Sequence, residues 1–191
     1  MANPSQEHMT AAKRVLRYLR GTLDHGLTFV GGQGIRLEGF CDSDFAGDVV
    51  ERKSTSGYVF RFCGGTISWS SKRQSVVAKS STEAEYIAMS RAASEAVWLR
   101  YLLKDLGFEQ TGGTTMFVDN VSAVALAKNP KFHDRTKHID VQFHYIRECV
   151  ANDCIKLVYC PSRDNVADVL TKSLAKPAFR VFCGEMGVEA L

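Results

Sequence analysis

The sequence contains no apolar run that approaches the ~18 residues of a membrane-spanning helix. No two of its six cysteines have the C-x-x-C spacing found in many zinc and redox sites. The first twenty residues end in a basic amphipathic pattern and contain no signal-peptide core. We therefore expect reduced cysteines, no membrane insertion and an intracellular location.

The sequence also lacks a strong net charge and a compositional bias. Of its 191 residues, 45% are hydrophobic and 24% are charged, proportions that exclude disordered, collagen-like and low-complexity chains. A net charge of +3 does not by itself indicate a nucleic-acid or membrane partner. Locally, however, residues 61–80 contain basic residues and no acidic ones, directly after an acidic stretch over 41–60.

Hydrophobic periodicity and glycine positions predict three parts. A basic amphipathic helix is predicted over 8–20, within an N-terminal arm that comprises residues 1–34 and ends in a glycine-rich run. The main domain is predicted over 35–175, followed by a C-terminal tail over 176–191. A domain of this size can bury a core without disulfide bonds.

The main domain has the pattern of alternating strands and helices. Strands are predicted over 35–41, 57–62, 65–70, 115–118 and 155–159. Helices are predicted over 83–106, 121–128, 138–150 and 164–174. The order β-β-β-α-β-α-α-β-α with right-handed crossovers predicts an α/β fold in which helices flank a five-stranded mixed sheet.

Acidic residues lie at the ends of elements that this topology brings together. Asp42 and Asp119 each end a strand, while Glu85 and Asp168 lie near the starts of two helices. If the two strands are parallel neighbours, all four carboxylates meet at the carboxyl edge of the sheet. Such a group is stable only with cations, and oxygen ligands suit Mg²⁺ or Mn²⁺. Two ions ~3.5–4 Å apart form the clamp used in phosphodiester cleavage.

Each carboxylate also has a structural interpretation. Asp42 could be a turn residue, and Asp119 could be the N-cap of the helix that follows it. Glu85 could complete a capping box with Thr82, although another Ser-x-x-Glu pair lies just before it. Asp168 could be a solvated helix charge. The residues alone leave these alternatives open.

Eight strings follow one another along the chain. They are KRVLRYLRGT, preceded by Asn3-Pro4 and His8, then CDSDFAGD, RKSTSGYVF, ISWSSKRQ, SSTEAEYIA, VDNVSA, KHIDVQFHYIRE and NVADVLTK. Together they resemble the ribonuclease H domain of copia-type LTR retrotransposon polyproteins. The arm resembles the end of the reverse transcriptase that precedes this domain in the family.

The resemblance implies a ribonuclease-H-like fold and hydrolysis of the RNA strand of RNA–DNA hybrids by a two-metal-ion mechanism. Catalytic and metal-binding roles carry over to Asp42, Glu85, Asp119 and Asp168. Glu85 matches and Glu83 does not, because the family's Glu precedes an apolar-x-Ala run, here YIA. Two Mg²⁺ ions are implied, with Mn²⁺ as a substitute. The implied partners are the hybrid and the reverse transcriptase portion of the same polyprotein, with no membrane, inside retrotransposon particles.

One loop departs from the family pattern. Many cellular ribonucleases H have a His between the fifth strand and the last helix, and residues 160–164 contain none. Whatever this histidine contributes to cleavage or product release in those enzymes must be absent here or supplied by another group. A catalytically silent hybrid-binding or structural module is the alternative function, although no carboxylate is missing. An integrase of the same fold family would need Glu where Asp168 stands.

Substrate contacts are expected to phosphates and 2′-hydroxyls, because a degradative nuclease accepts any base sequence. The expected contact residues are Lys72, Arg73, Gln74, Lys79 and Asn120. A solvated surface explains the basic residues equally well.

Two further groups have structural interpretations. His138, Asp140 and His144 precede Cys149 and Cys154, but residues six apart on a helix point ~120° away from each other, so zinc binding is disfavoured. Asp140 and His144 are expected to form an intrahelical pair. Four aromatic side chains are expected to fill the core or one sheet face, namely Tyr58, Phe60, Phe62 and Trp69.

Overall fold

The computed structural model describes residues 3–32, 35–128 and 140–191. The α-helices are α1 (Gln6–Arg20), α2 (Ser81–Asp105), α3 (Val121–Lys128), α4 (Asp140–Ala151) and α5 (Lys176–Glu185). The strands are β1 (His25–Leu27), β2 (Glu38–Ser43), β3 (Thr55–Phe62), β4 (Gly65–Arg73), β5 (Thr114–Val118), β6 (Ile155–Tyr159) and β7 (Val188–Ala190). Two 3₁₀ helices, Ser162–Asp164 and Val166–Leu170, follow β6. None of the helices in these ranges is long and apolar enough to cross a membrane.

The central sheet has the strand order β4-β3-β2-β5-β6. Strands β2, β3 and β4 form an antiparallel meander, whereas β5 is parallel to both β2 and β6. The predicted five-stranded mixed sheet with flanking helices is therefore confirmed. Cys63 and Gly64 connect β3 and β4 with φ angles of 51° and 79°, the positive values that a tight hairpin turn requires.

Helix α2 covers one face of the sheet and forms the larger core. Small residues let it approach closely, since Ala92, Ala93 and Ala96 are all fully buried. They pack in one cluster with Phe60 and Met116 from the sheet. The start of the helix is capped by Ser80, whose hydroxyl accepts a hydrogen bond from the backbone N–H of Glu83 at 3.1 Å.

The second face of the sheet is covered by the 3₁₀ segment and α5. Their buried residues Val166, Ala167 and Phe182 pack against Phe40 and Val59 of the sheet. The predicted helix over 164–174 is wrong, because the chain forms 3₁₀ turns there and the α-helix begins at Lys176. Pro177 in the first turn of α5 suits a helix start, since its missing N–H has no intrahelical partner there.

The predicted arm and tail contact each other. Strand β1 pairs antiparallel with β7, from His25 opposite Ala190 to Leu27 opposite Val188. The backbone N–H of Leu191 also donates to the carbonyl of Asp24 at 2.9 Å. The division of the chain at residues 34 and 175 stays a prediction.

The aromatic residues of β3 and β4 differ in burial. Phe60 is fully buried, and Tyr58 and Phe62 are partly buried against the same core. Trp69 is 56% exposed on the edge strand β4, so it does not fill the core. All six cysteines are free, as the reduced state requires. His133, His138 and the side chain of Asp140 lie outside the described residues.

Candidate functional site

Three carboxylates converge at the carboxyl edge of the sheet. Cys41 on β2 is paired with Val118 on the parallel strand β5, so the next residues, Asp42 and Asp119, lie side by side. Glu85 reaches the same edge from the second turn of α2. One oxygen from each of the three carboxylates lies within 4.8 Å of the other two. The predicted convergence is correct for these three residues.

Glu85 is the most constrained member of the group. Its Oε1 accepts a hydrogen bond from the backbone N–H of Ser43 at 3.2 Å, and the residue is 5% exposed. Its buried Oε2 has no hydrogen-bond partner within the described part of the chain. Burial, together with the negative charges of Asp42 and Asp119, raises the pKa of Glu85 to about 9. This carboxyl group therefore needs either a proton or a nearby cation.

Glu83, and not Glu85, takes part in capping α2, so the Glu85 side chain can reach the carboxylate group. The Glu83 carboxylate accepts from the backbone N–H of Lys79 at 3.1 Å, while Ser80 accepts from the backbone N–H of Glu83. Capping of α2 is thus completed without Glu85. The capping interpretation of Glu85 is wrong, and Thr82 is not its capping partner.

Asp168 reaches the site by a different route. Its Oδ1 accepts from the ammonium of Lys172 at 2.9 Å, and the same ammonium donates to Oδ1 of Asp42 at 3.0 Å. Burial raises the pKa of Asp168 to about 6, although the hydrogen bond from Lys172 opposes the shift. Asp42 is fully buried, and its Oδ2 also accepts from the hydroxyl of Thr171. Asp168 is therefore joined to Asp42 through a lysine and lies outside the group of three.

Lys172 was not among the predicted site residues. It lies four residues after Asp168, which is the spacing of an ion pair along a helix and is visible in the sequence. Its contact with Asp42, 130 residues away, depends on the fold and has no local signal.

A glycine and two polar side chains hold the Asp168 segment against the sheet. A Cβ on Gly57 would lie 2.8 Å from Cγ2 of Thr171 and 3.0 Å from Cβ of Leu170, so only glycine allows this approach. The fully buried Asn165 donates to the carbonyl of Cys41 at 3.0 Å. The hydroxyl of Ser71 on β4 donates to the carbonyl of Leu170 at 2.6 Å.

The other aspartate, Asp119, is half-buried and hydrogen-bonded to the loop that lacks histidine. The Ser162 hydroxyl donates to Oδ2 of Asp119 at 2.6 Å. The N-cap of α3 is Asn120, whose Oδ1 accepts from the backbone N–H of Ala123 at 2.9 Å. The N-cap interpretation of Asp119 is therefore wrong. Asn120, predicted to contact the substrate, thus also caps α3.

The predicted substrate-binding residues in the basic stretch have different environments. Gln74 is 2% exposed, and its amide nitrogen donates to the Ser56 hydroxyl and to the carbonyl of Ala84. A side chain buried in this way does not reach a bound nucleic acid, so the prediction for Gln74 is corrected. Lys72 and Lys79 are exposed.

Arg73 is engaged by two acidic neighbours. Its Nη1 contacts the carboxylate of Asp48 and lies 3.2 Å from Oε2 of Glu51. The hydrogen bond from the backbone N–H of Glu51, together with a smaller contribution from the hydrogen bond of Arg73, lowers the pKa of Asp48 to about 2. The positive charge of Arg73 is therefore largely compensated within the protein.

The donor set fits a divalent cation. Asp42, Glu85 and Asp119 present only oxygen atoms, which are the ligands that Mg²⁺ and Mn²⁺ prefer. The buried, unpartnered Oε2 of Glu85 is the kind of atom that a bound ion would satisfy. Within the described ranges, no other three His, Cys, Asp or Glu residues lie close enough together to hold a metal ion. Cys149 and Cys154 therefore belong to no such group.

A mixed sheet with this strand order and convergent acidic residues at its carboxyl edge defines a ribonuclease-H-like domain. A ribonuclease H1 isolated from compost has the same fold, with a TM-score of 0.55 over 71% of this chain and 92% of its own, at 18% identity. The structure of the same enzyme in complex with an RNA/DNA hybrid gives a TM-score of 0.52 at 16% identity, over 71% of this chain and 94% of that one.

Sequence comparison gives the family. The chain is 46% identical over 186 residues, 97% of its length, to the retrovirus-related Pol polyprotein from transposon TNT 1-94 of Nicotiana tabacum. It is 42% identical over 188 residues, 98% of its length, to the corresponding polyprotein from transposon RE1 of Arabidopsis thaliana. Over nearly its whole length the chain is thus homologous to a segment of the retrovirus-related Pol polyproteins of plant transposons. It spans only 14% and 13% of the lengths of these relatives. No family model matches it.

Proposed function

We propose that this domain hydrolyses the RNA strand of RNA–DNA hybrids during reverse transcription of a copia-type retrotransposon, using two Mg²⁺ ions. The observation that carries the proposal is the convergence of Asp42, Glu85 and Asp119 at the edge of a ribonuclease-H-like sheet. The compost ribonuclease H1 of the same fold, which has been seen with an RNA/DNA hybrid, supports the hybrid as the substrate class.

The four carboxylates have distinct roles in this proposal. Asp42, Glu85 and Asp119 would hold one ion, and Asp42 with Asp168 would hold the second. Bound ions would supply an activated water and neutralise charge on the scissile phosphate, leaving 3′-hydroxyl and 5′-phosphate ends. Ser162 orients Asp119 through its hydrogen bond. When no second ion is bound, Lys172 balances the charges of Asp42 and Asp168.

The missing loop histidine fits a mechanism of this kind. General acid–base catalysis contributes ~10²–10⁴-fold, and two ions can perform the same steps at the attacking and leaving oxygens. The hydroxyl of Ser162 lies in the loop where a histidine is found in many cellular ribonucleases H, and it supports a carboxylate there.

The family context extends the proposal to partners and location. Because the chain corresponds to about one seventh of a Pol polyprotein, we propose that it acts beside the reverse transcriptase portion of that polyprotein. We place this activity in the cytoplasm, within retrotransposon particles.

Cleavage of a labelled RNA–DNA hybrid by the purified chain, with and without Mg²⁺, tests the proposal. We expect Mg²⁺-dependent cleavage of the RNA strand only. Asp42→Asn, Glu85→Gln, Asp119→Asn and Asp168→Asn should each abolish it.

The matched control is Asp44→Asn, two residues from Asp42. The Asp44 carboxylate accepts from the backbone N–H of Thr55 and is not part of the carboxylate group. Its variant should retain most of the cleavage activity. A folded wild-type chain that binds the hybrid and never cuts it would support the silent module instead.

A further inference from the structure

A basic groove of about 500 Å³ separates α1 from α5 on the side of the molecule away from α2. Arg17 lines it from α1, and Lys176 and Arg180 line it from α5. Tyr18 and Phe179 form an edge-to-face pair between the helices, with ring centroids 6.3 Å apart. None of the described residues that line the groove is acidic.

The three cations of this groove are not neutralised by the protein. Arg17, Lys176 and Arg180 are exposed, and within the described ranges none of them forms an ion pair or a side-chain hydrogen bond. Other cations do have partners, for example Lys104, whose ammonium lies 2.9 Å from Glu109. Asp24, next to the lining residue His25, is hydrogen-bonded to it at 3.1 Å, and the neighbouring acids Glu185 and Glu189 do not line the groove. Uncompensated positive charge on two facing walls is suited to a polyanion.

The groove lies on the side of the sheet that carries Asp168. The 3₁₀ segment ends at Leu170 and α5 begins at Lys176, and Phe182 of α5 packs against Val166 and Ala167 of that segment. Lys176 is four residues after Lys172, so their Cα atoms are at most ~14 Å apart. A duplex turn is ~34 Å long, so one duplex could contact the carboxylates and the groove together.

The apolar residues of α1 lie outside the groove. Leu16 and Leu19 are 66% and 53% exposed, and they are on the side of the helix opposite Arg17 and Tyr18. A protein that covers the apolar side of α1 would leave the groove open. The groove and the apolar side of α1 are therefore separate surfaces.

We infer that this groove binds the phosphate backbone of the nucleic-acid duplex, within one helical turn of the cleavage site. The inference rests on the proposed function, because the RNA–DNA hybrid is the duplex concerned. Guanidinium groups bind phosphate through paired hydrogen bonds, and a lysine binds it as a point charge. Such contacts fix the position of the duplex and are independent of base sequence.

The test measures binding of the full chain to the hybrid in EDTA, so that no cleavage occurs, over a range of salt concentrations. The test variant combines Arg17→Gln, Lys176→Gln and Arg180→Gln. Each lost phosphate contact reduces the slope of log K against log[salt] by ~0.9, so we expect a decrease of about two to three. A variant with Arg17→Lys and Arg180→Lys keeps the charges and should retain most of the slope.

The matched control removes three exposed cations elsewhere, through Lys104→Gln, Lys128→Gln and Lys156→Gln. This control causes the same change in net charge as the groove variant. We expect it to lower the salt slope by less than one third as much as the groove variant does. A second comparison uses hybrid length. The groove variant should weaken binding of a hybrid of about two turns more than binding of one of about half a turn.

An unchanged slope in the groove variant overturns the inference, as does an equal loss on the short and long hybrids. Normal hybrid binding combined with lost binding of the reverse transcriptase portion would assign the groove to a protein partner and also overturn it. The cleavage assay is independent of this result. A wild-type chain that binds with a steep, groove-dependent slope and does not cut would refute the proposed function and leave the groove assignment intact.

Discussion

The ammonium of Lys172 lies between the carboxylates of Asp42 and Asp168, 3.0 Å from one and 2.9 Å from the other. Asp42 is fully buried and the Lys172 side chain is 36% exposed. The protein thus places one of its own cations between the two carboxylates proposed to share a metal ion. In the absence of metal, this lysine reduces the repulsion between them.

The first prediction concerns the stability of the metal-free protein. Breaking a buried ion pair costs ~3–5 kcal/mol, and partial exposure of Lys172 lowers this, so Lys172→Met should cost about 1–3 kcal/mol. Urea unfolding in EDTA measures it. Mg²⁺ should stabilise the variant more than the wild type, because an ion can replace the missing charge. Lys156→Met, on an exposed site of β6, is the control. Equal losses in the two variants would contradict this role for Lys172.

The second prediction concerns pH. The pKa of Glu85 is raised from 4.5 to about 9, and that of Asp168 from 3.8 to about 6. Between these values the folded protein binds more protons than the unfolded chain, so its stability falls as pH rises. Glu85 contributes to this fall between pH 4.5 and 9, at up to about 1.4 kcal/mol per pH unit.

Urea unfolding at several pH values in EDTA measures this dependence. Glu85→Gln should remove most of the fall above pH 6, whereas Glu83→Gln, which can keep its capping hydrogen bond, should preserve it. Mg²⁺ should flatten the profile of the wild type, since it favours the ionised carboxylates. A wild-type profile in EDTA that is flat between pH 6 and 9 would refute the assignment of a raised pKa to Glu85.

The third prediction separates the two basic neighbours at the end of β4. Lys72 is exposed, whereas Arg73 is paired with Asp48 and Glu51. If this stretch contacts phosphates, Lys72→Gln should lower the salt slope of hybrid binding by about one unit and Arg73→Gln by less. The reverse order would show that Arg73 leaves its acidic partners when the hybrid binds. Equal, unchanged slopes would exclude the stretch from the interface.

The fourth prediction is that no histidine is essential for the chemistry. His8 and His25 lie in the N-terminal arm, His144 is exposed on α4, and the carboxylate group contains no histidine. Single-turnover cleavage by each His→Ala variant should fall by no more than about tenfold, below the usual general acid–base contribution. The prediction includes His133 and His138. A hundredfold loss in a folded variant would identify a catalytic group that the carboxylates do not provide.

Elements with strong local signals could be predicted from the sequence. β6 and α3 match their predicted bounds, because alternating apolar residues define the strand and an Asp-Asn pair precedes the helix. The convergence of Asp42 and Asp119 followed from parallel pairing of their strands. Glu85 depended on the family motif, because Glu83 is even closer to the start of α2.

The remaining features depend on contacts between distant parts of the chain. Gln74 is a polar residue within a basic stretch, and its burial arises from partners on β3 and α2. Strands β1 and β7 have three residues each and no local pattern, and they form only because they pair with each other. The helix predicted over 164–174 is replaced by 3₁₀ turns that pack against the sheet, and the next α-helix begins only at Lys176.

The pairing of β1 with β7 has a mechanical consequence. Within the pair, His25 lies opposite Ala190, so the chain segments before β1 and after β7 leave the two-stranded sheet at the same end. Tension applied through these segments would open the pair one hydrogen bond at a time, beginning with the bond between Leu191 and Asp24. The five-stranded sheet lies outside this line of force. Pulling on a longer polyprotein would therefore detach α1 at low force while the sheet that carries Asp42 and Asp119 stays folded.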